Sequence, residues 1–348
     1  MKTICLLCAT IILGFCPPAF GADTGTNTKP VKLIFDTDMG NDVDDALALA
    51  VMHAMQSRGA CELLAVTLTC PLPEAAPYVA ALNAFYGRPA IPIGVNPAAP
   101  LAAKRSRYLP VASMRGPDGA LLFPSKFDPA AAPRAVDLLR RVLAAAGDGE
   151  IVIVQTGFST NLARLLETPG DAVSPLTGLE LVRRKVRLLS IMAGDFAPVK
   201  PGKKPHVEYN VKWDIPAARK IVAGWPTPVW WSGFEVGLAV TYPAWSIDRD
   251  FDYIPRHPVR ESYQAYKPAP HERPCWDVTS VAAVVWPERG YFDQARGRVL
   301  IDENGVSTFA PDDNGRDVVL KVNKEQSSRL RELFAALVSE PPHGGNDK

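Results

Sequence analysis

Apolar residues along this chain fall into two kinds of run. Short runs at Val31–Asp36, Leu63–Leu68, Ala90–Gly94, Ile151–Thr156, Val186–Met192 and Val229–Ser232 are rich in β-branched residues and hold few polar ones, the pattern of strands buried on both faces. Longer helical candidates lie between them, at Asp44–Ser57, Glu74–Tyr86, Pro133–Ala146, Asn161–Glu167 and Ile215–Ala223. This alternation predicts a doubly wound α/β fold, with a mostly parallel sheet, helices on both faces, and a site at the carboxyl ends of the strands. Two spans break the pattern. Asn96–Pro133, rich in Pro, Ala and basic residues, reads as a long excursion or lid, and Tyr242–Pro274 reads as irregular, leading into a helix at Asp277–Trp286. A strand at Asp317–Val322 and a helix at Lys324–Val338 close the chain, with a frayed tail at residues 341–348.

Composition narrows the partners. At 47% hydrophobic over 348 residues a large core can form, which excludes global disorder. At roughly 150 residues per domain the length alone admits two domains. The alternation is read as one, spanning 22–340. Lys and Arg (38) balance Asp and Glu (37), so there is no broad cationic field for nucleic acid or an anionic membrane. The runs Arg183-Arg184-Lys185 and Lys104-Arg105-Ser106-Arg107 are read as helix-end and loop charges. The first 21 residues have the form of an export signal: Lys2 as sole charge, an apolar run from Ile4 to Phe15, and small residues around Ala19-Phe20-Gly21. That run is too short to span a bilayer, so the expectation is an exported protein, periplasmic or secreted, with no membrane span. Cys5, Cys8 and Cys16 leave with the signal. The odd remainder, Cys61, Cys70 and Cys275, is read as buried thiols, with a Cys61–Cys70 disulfide as the alternative.

One segment carries the chemistry: Asp36-Thr37-Asp38-Met39-Gly40-Asn41-Asp42-Val43-Asp44-Asp45. Five aspartates occupy ten positions, directly after a buried strand and before a helix. Such crowded carboxylates repel one another unless a cation sits among them. The helix N-terminus relieves Asp42, Asp44 and Asp45 but not Asp36 and Asp38. Hard oxygen ligands point to calcium or magnesium rather than zinc. An EF-hand loop counted from Asp36 fails, because its sixth and twelfth positions hold Asn41 and Leu47. A magnesium-dependent phosphatase with Asp36 as nucleophile shares the Asp-x-Asp start, but Gly40 stands where such enzymes want Thr or Val.

Asp36-Thr37-Asp38 through Asp44-Asp45-Ala46 resembles the N-terminal signature of the inosine-uridine-preferring nucleoside hydrolase family, with two extra residues in the turn. Further motifs follow in the family's order: Gln155-Thr156-Gly157 with Asn161-Leu162, Ile191-Met192-Ala193-Gly194, Val207-Glu208-Tyr209-Asn210 with Trp213-Asp214, and Trp276-Asp277. The resemblance runs from about Val31 to Trp286. It implies calcium held by Asp38, Asp45, Asp277 and the Thr156 carbonyl, with Asp38 also taking the proton of a metal-bound water. It further implies ribose held by Asp44, Glu208, Asn210 and Asp277, with Met192 at a substrate-contacting strand end and Asp36 orienting the loop from behind. The implied reaction is hydrolysis of ribonucleosides to ribose and free base by a homodimer or homotetramer.

Three departures bear on substrate. Trp276 stands where some members have a leaving-group His; it resembles the purine-preferring branch, where an indole stacks on the base. Thr69-Cys70-Pro71-Leu72-Pro73 has no carboxylate or amide where the family places one, and Asn41-Asp42 lengthen the turn. These departures also motivate a competing expectation, a non-catalytic or altered ribosyl-binding protein. All seven tryptophans lie between Trp213 and Trp286. Trp230 and Trp231 are expected in the core, Trp245 and Trp276 at ligand. His271 and Glu272 are read as surface loop or, alternatively, a proton source, and His206 as solvated beside Lys203-Lys204-Pro205.

Overall fold

The computed structural model describes residues 29–98 and 105–342, so the expected leader and the end of the tail lie outside the described residues. The chain begins with β1 (Val31–Thr37), α1 (Asp44–Ser57), β2 (Cys61–Leu68), α2 (Ala75–Phe85) and β3 (Ile93–Gly94). After the excursion come α3 (Ala135–Ala145), β4 (Ile151–Gln155), α4 (Thr160–Leu166), α5 (Gly178–Lys185), β5 (Val186–Met192), α6 (Tyr209–Trp213), α7 (Ile215–Gly224) and β6 (Val229–Ser232). The C-terminal part adds α8 (Phe234–Ala239), β7 (Thr241–Tyr242), α9 (Ala244–Arg249), α10 (Pro258–Tyr266), β8 (Arg273–Pro274) and α11 (Trp276–Val285). It ends in β9 (Asp293–Ile301), β10 (Ser307–Pro311), β11 (Asp317–Lys321) and α12 (Lys324–Val338).

Nine strands form one sheet in the order β10-β9-β11-β6-β5-β4-β1-β2-β3. All pairings from β11 to β3 are parallel, while β9 runs antiparallel to both of its neighbours. β1 lies between β2 and β4, so the strand order reverses there. Helices leaving the two sides of such a reversal diverge and open a crevice at the carboxyl edge. The Thr156 N–H donates to the Asp36 carbonyl at 2.7 Å, tying β4 to β1 at that edge.

Apolar packing fills both faces. One core joins α1, α2, α10, α11 and α12 to the sheet; the other joins α3, α4, α5 and α7. Twelve of the fourteen residues of α1 are buried, Asp44 and Asp45 among them. A helix enclosed on all sides shows no amphipathic stripe, and its two carboxylates are correspondingly hard to explain as solvated groups. Trp231 is buried against Phe196 and Asp317, and Trp230 packs partly buried on the same sheet. Cys61, Cys70 and Cys275 are buried and no disulfide joins them.

Three expectations need correction. Ala90–Gly94 is strand only at its last two residues, since Pro92 has no N–H for the ladder. Tyr242–Pro274 is not irregular: it holds α9, α10 and the small β7–β8 pair. β9 and β10 escaped the apolar pattern because β9 alternates exposed and buried positions, with Gln294, Arg296 and Arg298 facing out. The excursion packs onto the acidic turn. Buried Tyr108 accepts from the Gly40 N–H at 2.6 Å and donates to the Asp42 carbonyl at 2.8 Å. Gly40 has φ of +122°, and a Cβ there would sit 2.7 Å from both Leu109 and Leu72, so only glycine fits this turn.

Candidate active site

At the carboxyl edge, the β1–α1 turn, the ends of β4 and β5, and the starts of α6 and α11 surround a cavity of about 350 Å³. Its floor is acidic. Asp44 accepts from the Asp277 N–H at 3.0 Å, and the Thr37 hydroxyl donates to Asp45. Asp44, Asp45 and Asp277 each present a carboxylate oxygen, and these oxygens lie within 4.8 Å of one another. One buried oxygen on each of Asp38, Asp44 and Asp45 has no hydrogen-bond donor in the protein. Asp36 sits behind the floor, fully buried, accepting from Thr67 Oγ1 at 2.5 Å and Asn161 Nδ2 at 2.8 Å.

Glu208 and Asn210 brace the floor from the side. The Glu208 carboxylate caps α6, accepting from Asn210 N at 2.8 Å and Val211 N at 3.2 Å, and it reaches Gly194 N at 3.1 Å. Asn210 Nδ2 donates to the Thr156 carbonyl at 2.8 Å and the Met192 carbonyl at 3.0 Å, joining the ends of β4 and β5. These two residues therefore form a buried strand-end brace, which a solvated polar turn would not.

The opposite wall is aromatic. Trp276 stacks on Phe234 with centroids 5.5 Å apart and planes at 23°, and its Nε1 donates to the Phe234 carbonyl at 2.9 Å. A Cβ at Gly237 would lie 2.2 Å from the indole, so glycine there seats Trp276. The Arg273 guanidinium lies 5.0 Å from the Tyr266 ring and 5.1 Å from the Trp276 ring, within cation–π range, and pairs with Asp42 through Nε at 2.8 Å. The longer turn thus supplies a carboxylate that fixes a cation at the aromatic wall. Tyr209 donates to Asn41 Oδ1 at 2.9 Å. His206 completes this side, its ring centroid 4.5 Å from Phe234 and its Nδ1 3.0 Å from Asp195 Oδ2.

Six carboxylates line the cavity against one guanidinium. Burial, then the charge of Asp42 nearby, pushes Asp38 up to about 8; burial alone drives Asp36 to about 7 and Glu208 to about 7, hydrogen bonds opposing it in both. Asp44, Asp45 and Asp277 are raised well above the ordinary carboxylate range, by burial first and then by a neighbouring carboxylate: Asp42 beside Asp44, Asp38 beside Asp45, and Asp44 beside Asp277. A hard divalent cation answers both the repulsion and the oxygens without donors, and oxygen is the only ligand type the cluster offers.

The fold brings Asp38, Asp44, Asp45, Thr156, Met192, Glu208, Asn210, Trp276 and Asp277 to one cavity, with Asp36 behind it. The close trio contains Asp44 where the resemblance implies Asp38. Trp245 is 46% exposed on α9 and lines no part of the cavity, which corrects its reading as a ligand residue. His271 is buried and stacks on Tyr263 at 4.3 Å, and Glu272 pairs with Arg331 at 2.7 Å; neither lines the cavity. His206, Phe234, Tyr266 and Arg273 were not expected there. For His206 the only signal was its place two residues before Glu208, and lysines beside it obscured that.

Residues 33–329 match the family model described as inosine-uridine preferring nucleoside hydrolase. Among solved structures, a plant nucleoside hydrolase is 22% identical, covering 90% of this chain and 100% of its own, with a TM-score of 0.66. A purine-preferring ribonucleoside hydrolase from Gardnerella vaginalis is 20% identical over 88% of this chain and 98% of its own, with a TM-score of 0.67. The type III effector protein XopQ, solved with adenosine diphosphate ribose, is 17% identical over 89% and 94%, with a TM-score of 0.63. No curated protein matches in a sequence search. At these identities the structures establish a shared fold.

Proposed function

The chain belongs to the inosine-uridine preferring nucleoside hydrolase family, N-ribosyl hydrolases that cleave ribonucleosides, and on that premise we propose a calcium-dependent enzyme that favours purine ribonucleosides. One observation carries this: an acidic floor with carboxylate oxygens lacking donors faces a stacked Trp276–Phe234 wall across a single cavity.

N-glycosidic hydrolysis passes through a sugar with oxocarbenium character. It needs a water, negative charge beneath the ring, and a fixed ribose. Asp38, Asp45, Asp277 and the Thr156 carbonyl would hold the ion. When bound, calcium makes water more acidic and polarises it for attack. Asp38, with one oxygen lacking any donor, would be the acceptor for the proton of the attacking water. Asp44, Asp277, Glu208 and Asn210 are the groups suited to the ribose hydroxyls, and the Asn210 brace keeps the β4 and β5 ends in register beneath the ring. The indole offers a large flat face suited to a purine.

The phosphatase alternative is set aside. It requires Asp36 as nucleophile, and Asp36 is fully buried behind the floor, held by Thr67 and Asn161. A second reading, a ribosyl-conjugate binder without turnover, is favoured by Arg273, a cation at the aromatic wall that suits a charged conjugate. The effector of similar fold solved with adenosine diphosphate ribose supports this second reading. We further propose an exported enzyme, on the strength of residues 1–21; N-terminal sequencing of the mature protein should begin at or near Ala22.

The deciding experiment measures ribose release from purine and pyrimidine nucleosides with and without a calcium chelator. Chelator-sensitive release, fastest for purines, is the expected result. Ligand-induced stabilisation with no ribose from any nucleoside would replace the hydrolase by the binder.

A further inference from the structure

Breaking the C1′–N bond leaves an electron pair on a base nitrogen, and protonating that nitrogen as the bond breaks lowers the barrier. Trp276 is no source of the proton, because its one N–H is committed to the Phe234 carbonyl. His53 and His257 are buried outside the cavity, and burial pushes both down to about 3. His271 is stacked away on Tyr263.

His206 differs from these in every respect. It lines the cavity, its side chain is 47% exposed, and its ring packs on Phe234, the residue that stacks on Trp276. Its Nδ1 is held by Asp195. Beyond Asp195 stands Glu235, which accepts from Phe196 N at 3.1 Å. Burial, with a smaller contribution from Asp195, raises Glu235 to about 6. On its own segment the charged neighbours are Lys203 and Lys204 before it and Glu208 two residues after it, which lines the same cavity. A carboxylate on one ring nitrogen both fixes the tautomer and stabilises the imidazolium, leaving the other nitrogen as donor.

We propose that His206 is the general acid for the departing base and that Asp195 is its positioning residue. This rests on the ribonucleoside hydrolase reading. His206 Nε2–H passes to the base nitrogen as the C1′–N bond breaks, with the bonding pair going to that nitrogen. A water oxygen bonds to C1′ and yields its proton to Asp38. Neutral His206 and protonated Asp38 then exchange one proton through solvent, which closes the cycle. The acid comes from the loop before α6, on the aromatic side of the cavity.

The test compares inosine with p-nitrophenyl β-ribofuranoside, whose phenolate leaves without protonation. His206→Gln should lower kcat on inosine by about 10² to 10³ and change the aryl riboside by no more than about threefold. Asp195→Asn, which leaves the ring without its anchor at Nδ1, should lower kcat on inosine by about tenfold with KM little changed, and alter the aryl riboside by no more than about threefold. Melting temperatures of both variants report folding. An equal loss on both substrates, or no loss on inosine, overturns the proposal. If the unaltered protein releases ribose from neither substrate, or from the aryl riboside alone, the reading of the reaction itself fails, and the proposal is overturned with it.

Discussion

The floor of the cavity and its wall draw on the chain in opposite ways. Asp38, Asp44 and Asp45 come from one turn, fixed between the end of β1 and the start of a fully enclosed helix, and Thr156, Met192 and Asp277 meet them from strand ends and a helix start. Trp276, Phe234, Tyr266, Arg273 and His206 come from five separate segments, most of them short helices and connections. Groups crowded with like charge sit on the rigid sheet edge, where burial raises their pKa values and where the proposed cation would offset their repulsion. Groups proposed to recognise or release the base sit mostly on connections and element ends, which can vary without disturbing the sheet. The proposed function therefore divides the same way, with the chemistry of the sugar assigned to the first region and the choice of base to the second.

The sharpest way to break that division is Asp38→Asn. It keeps the shape of the floor but removes the proposed proton acceptor, and kcat should fall by at least about 10³ on every nucleoside, with similar ratios between bases. A loss confined to purines would mean that floor and wall are not separate in function.

The next effect concerns the floor alone and is read without substrate. Asp36 and Asp38 are raised in the metal-free fold to about 7 and about 8, against ordinary carboxylate values when unfolded. The unfolded chain therefore loses these protons at lower pH than the folded one. The stabilisation is full below about pH 4 and is lost as pH rises through about 8. Urea unfolding of chelated protein should show stability falling across that window. Calcium should reverse the fall, adding about 2.7 kcal/mol at a hundred times its Kd, and binding should release protons near neutral pH. A flat profile in chelator would show that the floor carboxylates are not raised.

Trp276→Ala should have the smallest effect of the three. Losing a stacking face is worth about 0.5–1.5 kcal/mol beyond area, so KM for purine nucleosides should rise by roughly three- to tenfold, and less for pyrimidines. Calcium affinity, measured by calorimetry, should not change. A change in calcium affinity would join wall to floor through the adjacent Asp277.

The floor was legible because a charge anomaly is visible without a fold. Five carboxylates in ten positions, after a buried strand, have few explanations. The parallel sheet was legible for a similar reason, since strands buried on both faces leave unbroken apolar runs, as in Ile151–Gln155. β9 was not, because a strand with Arg296 and Arg298 facing out has only every second residue to reveal it. His206 looked solvated beside Lys203 and Lys204, although its ring packs on Phe234 and pairs with Asp195. Trp245 looked like a ligand residue and is a half-exposed side chain away from the cavity.

By itself the sequence determined the reaction class, through the ordered acidic and polar motifs, and the α/β architecture, through its apolar periodicity. Both are local properties, written in residues close together along the chain. Only the tertiary structure decided which aromatic, cationic and titratable side chains close the cavity, that the lengthened turn pairs Asp42 with Arg273, and that Tyr108 braces Gly40 from the excursion. Those contacts join residues separated by 231 and 68 positions, and of the four only Arg273 lies in an element, the two-residue β8. Elements that short show no period, and the partner across the cavity is selected by packing rather than by spacing.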